Sequence, residues 1–570
     1  MLRFILTFLT YREVFGQSAG YEALIGMLRG LRKAECLVLL AKINTILSNE
    51  TSYNGEVQHY LKSVFFRPDT LKAIIEAEKR LAAPVLFSEL QILNLAKLAI
   101  LHCSNEAGNT IETPEDREHL GICCLMMNDL IAPDGEDIKG LSRKQQRDYL
   151  IQESIRNLAF QAQDRFDYTL PRYYELMFDI PNSLKGDPQY MDIPGVFHEV
   201  ADLELLDFFS LGFAVLARWL GMKIDTLADH PDFFLNEETW FRDAKMPANT
   251  SRKIFDFIRL PVLAYQDELD RELRNLRSEE RWQYSHLSLE KYPVLQINGM
   301  DICLSLRFLM KKITENVFWV INDGLKDKER SDKFREFFGK VFEEYVRRLL
   351  RRTFSDRCLE LRYGKSNQEA GDGIVVYPND MILFEAKSAR LFLHTARSGD
   401  LGAYERNLRD VLIRASTQLD RVIKDFKSGA FDVPGLKRSE FNRFHPVIVT
   451  VHSFPQEPLT WEFFQEIIVQ HGLFQDKTIA RPHLIDIEEL EMAEGVLEEK
   501  DLLSLLNDKN AHNELRDVPF KNYLFQSFRG NIRRNKYLSE KYHQLGGEIR
   551  ARLFGTTADN GQVATSVEPG

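Results

Sequence analysis

Residues 371–387 read GDGIVVYPNDMILFEAK, and this stretch decides the fold. Met381 to Phe384, with Ala386 beyond, suit a strand buried on both faces, and such a strand has no packing reason to end in Glu385 and Lys387. Pro378-Asn379-Asp380 is turn chemistry, so Ile374 to Tyr377 and Met381 to Ala386 form a hairpin centred between Pro378 and Asn379. Reflection about that centre sets Tyr377 opposite Asp380, Val376 opposite Met381, Ile374 opposite Leu383 and Asp372 opposite Glu385. Directly opposed side chains stand about 4.5–5.5 Å apart at Cβ, where like charges repel. A divalent cation between Asp372 and Glu385 removes the conflict. The strand period of two places Lys387 on the face of Glu385. An exposed hairpin end with solvated charges would carry the same letters, but the apolar flanks and the matched register favour a site.

Outward from the hairpin, the helix 334–352 carries Phe338, Phe342, Tyr345, Val346, Leu349 and Leu350 as one apolar stripe. Glu343 lies on the border of that stripe, able to look into a cleft, and Glu344 nearly opposite, towards water. Gly339, one turn before Glu343, leaves room for a neighbour. Arg347, Arg348, Arg351 and Arg352 form a basic patch on the back or flank of the helix, readable as a solvated face or as phosphate contacts. A strand (Cys358 to Tyr363) and a polar loop (Gly364 to Gly371) lead into the hairpin. After it come a helix from Gly402 to Phe426, a strand Val447 to His452, a helix Trp461 to His471 and a strand His483 to Ile487. Gln418 sits at the edge of the buried stripe formed by Leu408, Val411, Leu412, Ala415, Leu419, Val422, Ile423 and Phe426. This order gives an α/β sandwich with a mixed central sheet.

Upstream, residues 1–290 read as an all-α region with almost no strand signal. Its helices are expected at Tyr21 to Leu47, Thr70 to Leu81, Phe87 to Cys103, Arg117 to Ile131, Val200 to Leu220 and Ser251 to Leu276. Turns are expected at Ala132 to Gly135, Ile180 to Asn182, Ile193 to Gly195 and His230 to Asp232. The opening MLRFILTFLTY reads as a first helix, lacking the cleavage site of a signal peptide. Arg281 and His286 match the R-x4-H spacing of helical ribonucleases; the spacing is frequent by chance, and a polar helix end is the simpler reading. Residues 291–333 form a connector: a hairpin around Asn298-Gly299, a helix from Ser305 to Asn322, and a polar loop from Asp323 to Asp332. Residues 491–554 return to helix, with basic and aromatic residues interleaved (Tyr523, Phe525, Phe528, Arg529, Arg533, Arg534, Lys536, Tyr537, Lys541, Tyr542). That mixture suits nucleic-acid binding or ordinary packing with arginines in water. Residues 555–570 read as a disordered tail.

The chain has 570 residues, too many for one core, and its 44% hydrophobic and 28% charged residues are those of a globular protein. No run approaches eighteen uncharged apolar residues, so no membrane span is expected. Six cysteines without C-x-x-C spacing argue against a zinc site or a disulfide framework and suit a reducing cytoplasm. The net charge of −11 does not by itself suggest a nucleic-acid partner, although averages conceal patches.

A helix with an acidic residue, a strand, G-D-(12 residues)-E-A-K on an antiparallel hairpin, and a helix with glutamine resemble the PD-(D/E)xK nuclease superfamily, the restriction-endonuclease-like fold, over residues 334–490. Gly371 stands where the motif's name has proline, and Ser416-Thr417-Gln418-Leu419 is similar to the glutamine motif of the RecB-like branch. The resemblance implies that Asp372 and Glu385 ligate Mg²⁺ or Mn²⁺, with Glu343 in or near the ligand set. Lys387 would position the attacking water or stabilise the transition state, and Gln418 would orient Lys387 or a phosphate. Glu369 is a spare carboxylate, and Tyr363, Lys365 and Arg390 are substrate contacts. The function implied is metal-dependent hydrolysis of phosphodiesters, in DNA rather than RNA. The setting would be restriction, repair or phage defence, with a protein partner such as an ATPase engaging the helical half. The alternative is a non-catalytic nucleic-acid-binding or scaffold protein that retains the nuclease fold.

Overall fold

The expected hairpin forms, in the expected register. Val376 pairs with Met381, Ile374 with Leu383 and Gly373 with Phe384. The structure is a computed structural model that describes residues 7–50, 55–81, 84–105, 111–131, 140–161, 165–222, 227, 233–241, 244–276, 281–363, 368–388, 401–433, 437–454 and 458–555. It is mostly helical: a helical N-terminal region, a mixed five-stranded sheet, then C-terminal helices. The expected turns at 132–135 and 230–232 and the tail 556–570 lie outside the described residues.

The sheet and its flanking helices comprise α1 (Lys328–Phe354), β1 (Cys358–Leu359), β2 (Gly373–Val376), β3 (Asp380–Lys387), α2 (Leu401–Ser428), β4 (Arg443–Thr450), α3 (Pro458–Gln470) and β5 (His483–Asp486). Their order across the sheet is β5-β4-β3-β2-β1. Strands β3, β4 and β5 run parallel, and β2 is antiparallel to both β3 and β1. The parallel strands need crossovers, which α2 and α3 supply.

Side-chain alternation along β3 splits the core in two. Ile382, Phe384 and Ala386 join a cluster with the α1 stripe, the N-terminal helices and the C-terminal helices. Met381 and Leu383 join a second cluster with Leu408, Leu412, Ala415, Leu419 and Phe426 of α2. The helix Arg143–Gln161, although from the N-terminal region, packs Ile151 and Ile155 into this second cluster. The first cluster continues without a break from Leu9 to Leu553.

Several expected elements form differently. In the opening segment, Thr7–Phe8 is a strand parallel to Pro84–Val85, and a helix occupies only Tyr11–Phe15. Thr10 starts that helix through a capping box with Glu13, a T-x-x-E signal present in the sequence. The helix expected at Tyr21 to Leu47 is two, Tyr21–Arg29 and Lys33–Glu50, divided after Gly30. Likewise Ser251 to Leu276 is interrupted by the strand Arg259–Pro261, because proline lacks an N–H and pushes the preceding residue out of helical geometry. That strand extends the Asn298-Gly299 hairpin to three strands. Both turn residues have positive φ, 52° and 77°, as a type I′ hairpin turn requires.

Ile193-Pro194 opens a helix rather than a turn, since proline costs nothing in a first helical turn, and Ile180-Pro181 continues the helical run of Phe166–Tyr174 and Glu175–Asp179. The helix expected from Val200 starts only at Leu205, after Asp202 ends the previous one in the left-handed region. The connector helix breaks at Thr314, and Asp327 caps α1 six residues earlier than expected, using part of the polar loop. The strand expected at Cys358 to Tyr363 is divided, Arg362–Tyr363 pairing instead with Gln368–Glu369. Strand β4 starts four residues earlier than expected, because the polar Arg443 and His445 hide its continuity. All six cysteines are free, and no described helix is long and apolar enough to cross a membrane.

Candidate metal centre

The site begins with the turn that delivers Asp372. Gly371 has φ 88°, and a Cβ built on it would lie 2.9 Å from the Phe384 carbonyl oxygen. Proline, fixed near −65°, cannot occupy this conformation, so glycine at this position has a local cause. The Asp372 N–H donates to Phe384 O at 2.9 Å. Its side chain is buried; Oδ2 accepts the Ala386 N–H at 2.7 Å and Oδ1 accepts from Arg347 Nη2 at 3.1 Å. The carboxylate is thereby fixed across the end of β3, on the register that sets it opposite Glu385.

Two further carboxylates arrive from other elements. Glu343 projects from α1, whose stripe residues Phe338, Phe342, Tyr345, Val346, Leu349 and Leu350 are all buried as expected. One turn earlier, the space beside Gly339 is used by the end of β3: an added Cβ would meet Ser388 Oγ at 3.6 Å. Glu369 comes from the short Arg362–Tyr363/Gln368–Glu369 ribbon and accepts from Arg347 Nη2 at 2.7 Å and from Arg362. Glu343, Glu369 and Asp372 each present an oxygen within 4.8 Å of the others. The expected ligand set was Asp372, Glu385 and Glu343; the structure brings Glu369 into this triad and leaves Glu385 outside it.

Glu385 is nevertheless the most informative residue. It is 1% exposed. Its Oε1 accepts from Lys387 Nζ, and its Oε2 is buried with no hydrogen-bond partner among the described residues. A buried carboxylate oxygen without a donor carries a desolvation cost on the order of 1–3 kcal/mol or more. A proton or a cation can relieve it. Burial, then repulsion from Asp372, pushes Glu385 up to about 8. The same two causes push Glu343 up to about 7. Burial also raises Asp372, against the Ala386 N–H, Arg347 and Lys387, which favour its charged form. For Lys387, burial lowers the pKa, but Glu385, Asp372 and Glu343 outweigh it and the ammonium is held above its ordinary range. Four carboxylates here face Arg347, Lys387 and Arg362. The all-oxygen donor set and the orphaned Oε2 fit a hard divalent cation.

Arg347 is the site residue that face arithmetic on α1 missed, having grouped it with a basic patch. Its spacing of four from Glu343 was the available signal, because i and i+4 side chains share a helix face. The rest of that patch is consumed by ion pairs. Arg348 and Arg351 bind Glu344, which is therefore largely covered rather than facing water, and Arg352 binds Glu494. Gln418 lies on α2, over the sheet face opposite to α1, and makes no hydrogen bond to any of these groups. The side chain of Tyr363, and all of Lys365 and Arg390, lie outside the described residues.

The other candidate sites resolve into packing. In the C-terminal segment Tyr537 donates to Glu175 at 2.6 Å and is covered by Arg352, Lys541 pairs with Asp179 at 2.8 Å, and Arg533 pairs with Glu498. His286 is buried, and burial holds its imidazole well below its ordinary pKa, while Arg281 pairs with Glu153. Comparisons with protein-family models, curated proteins and solved structures gave no match.

Proposed function

We propose that this chain is a divalent-metal-dependent nuclease that hydrolyses phosphodiester bonds, in DNA before RNA. The observation that carries the reading is the convergence of Glu343, Glu369 and Asp372 within 4.8 Å of one another. They meet at the strand end that holds Glu385 and Lys387. The succession α1, β1, β2, β3, α2, β4, α3, β5 also supports the restriction-endonuclease-like reading, since it repeats the order on which the sequence resemblance rests.

Mg²⁺ or Mn²⁺, held by Asp372 with Glu343, Glu369 and Glu385 as the available carboxylates, would supply positive charge for the scissile phosphate and make water a stronger acid. Lys387 keeps its proton beside Glu385, so a fixed positive charge faces the site where negative charge develops on the phosphate. Asp372, held by the Ala386 N–H, does not need to reorganise. Burial of Glu385 excludes water from the inner wall.

The test is cleavage of supercoiled and linear DNA, and of RNA, by chelator-treated protein resupplied with Mg²⁺ or Mn²⁺. The expected result is cleavage that falls at least about 100-fold in Asp372→Asn and in Lys387→Met, within the range that removal of a single electrostatic stabiliser produces. Protein that binds Mn²⁺ yet leaves both polymers intact would sink the catalytic reading. One feature favours the alternative of a non-catalytic nucleic-acid-binding or scaffold protein: Arg347 binds both Glu369 and Asp372, two of the carboxylates that a cation would draw on. Mn²⁺ binding that depends on Asp372 separates the two.

A further inference from the structure

We infer that the outer face of α2 is a track for the phosphate backbone of a nucleic-acid duplex, leading past the metal centre. The inference rests on the nuclease reading above for its choice of polymer. Along α2 the exposed side chains are Arg406, Asp410, Arg414, Thr417, Arg421, Lys424, Lys427 and Ser428. At 100° per residue, Arg406, Arg414, Arg421 and Lys424 fall within an arc of about 80°, and Asp410 is the one acid among them. This cationic stripe belongs to a chain with a net charge of −11.

Of the two basic segments singled out in the sequence, that of α1 is spent on ion pairs with Glu344 and Glu494, and in the C-terminal segment Lys541 and Arg533 pair with Asp179 and Glu498. Within the stripe Lys424 pairs with the buried Asp420 at 2.6 Å, whereas Arg406 and Arg414 have no carboxylate partner among the described residues. Arginines kept exposed and unneutralised on an acidic protein suit a polyanion.

The stripe is placed to serve the site. Phe426, near the end of α2, packs against Phe444, and Phe444 pairs with Met381 at the start of β3. From Met381 to Lys387 the strand rises about 20 Å, and about 13 residues of helix cover that distance. Counting back from Phe426 brings Arg414 level with the Lys387 end of β3. Arg421 and Lys424 lie on one side of that level and Arg406 on the other. The core split places α2 over the same sheet face as Glu385 and Lys387, by alternation with Met381 and Leu383.

The chemistry of the stripe selects the form of nucleic acid. It spans about 27 Å from Arg406 to Lys424, a little under one turn of B-DNA. It exposes no aromatic side chain. Single-strand binding draws on base stacking against aromatic rings, whereas a convex row of cations without rings contacts only phosphates. A duplex backbone fits it, without sequence preference.

The test is binding of a 30-base-pair duplex of arbitrary sequence, and of the matching single strand, to the full chain in chelator between about 50 and 200 mM salt. The Arg406→Gln/Arg414→Gln/Arg421→Gln variant is compared with Lys72→Gln/Lys79→Gln/Arg80→Gln, which changes the net charge equally at another exposed helix. The expected result is duplex binding weakened about tenfold or more by the first triple only, with the log–log salt slope shallower by roughly 3, near 0.9 per lost phosphate contact. Equal effects of the two triples, or none, would overturn the track, and single strand bound as tightly as duplex would overturn the duplex assignment. Polyglutamate competing as well as duplex at equal charge would assign the stripe to acidic proteins and overturn it too. Binding that behaves as expected in a protein that cleaves nothing in Mg²⁺ supports the track while removing the nuclease reading.

Discussion

Metal binding at this centre should release protons, in a number fixed by the carboxyls that burial has neutralised. Glu343 is pushed up to about 7 and Glu385 to about 8. At pH 6 both are therefore mostly protonated, and a divalent cation that recruits both carboxylates must displace close to two protons. The apparent affinity then rises by about two logarithmic units per pH unit near pH 6, by about one between pH 7 and 8, and levels off above pH 8 to 9. The sum is roughly 10³-fold between pH 6 and 9, since Glu343 contributes one unit and Glu385 two. Isothermal titration of Mn²⁺ in two buffers of different ionisation enthalpy counts the protons directly. Glu385→Gln should lower the count at pH 6 by about one. Stability of the metal-free protein runs the other way. Both groups have raised folded-state pKa values, so their stabilisation is present below pH 4.5 and is lost as pH rises through 7 to 8, by up to ~1.4 kcal/mol per pH unit for each. Mn²⁺ binding at pH 6 with fewer than about half a proton released, or affinity flat with pH, would refute the claim that these carboxyls receive the cation.

Two substitutions probe the neighbours. Arg347→Gln removes the guanidinium that bridges Glu369 and Asp372; it should tighten Mn²⁺ binding about tenfold or more while destabilising the metal-free protein by about 2–3 kcal/mol, read by titration and by denaturant unfolding. Weaker Mn²⁺ binding in a folded Arg347→Gln protein would mean that the arginine organises the ligands instead of competing with the cation. Gly371→Pro should destabilise the fold by about 3 kcal/mol, because φ 88° is closed to proline; an unchanged unfolding midpoint would contradict the turn geometry.

The hairpin was legible because its determinants are local. Pro378-Asn379-Asp380 centres the turn, the period of two fixes the faces, and the position of Asp372 opposite Glu385 follows. Glu343 was legible for the same reason, through the 3.6 period of α1. Glu369 was legible only as a spare carboxylate near Asp372, because its place depends on a ribbon of two residues against two, Arg362–Tyr363 with Gln368–Glu369, too short to leave a periodic signal. Arg347 was missed because face arithmetic locates a Cβ, whereas a guanidinium reaches several ångströms back across a border. The basic patch failed for a related reason: sequence shows that Arg348, Arg351 and Arg352 are charged but not that Glu344 and Glu494 lie within reach of them.

The helical half gains a role from how it holds α1. Arg330 binds Glu199, Lys340 binds Asp187 and Arg348 donates to Ser183, all from the N-terminal region. Between them Tyr345 donates to Glu491 at 2.6 Å, and Arg172 forks onto the same carboxylate at 2.8 and 2.5 Å. Arg172 and Glu491 are both buried, so this pair tolerates little misplacement: losing one partner of a buried, hydrogen-bonded charge pair costs about 3–5 kcal/mol. Tyr345 lies two residues from Glu343, which at 100° per residue is 200°, nearly the opposite side of the helix. A tether behind α1 therefore fixes its rotation, and a slip of one residue would swing Glu343 by 100° away from Asp372. On this argument residues 166–199 and 487–494 are the rear support of the candidate metal centre, and the helical half is part of the apparatus that sets the distance between Glu343 and Asp372.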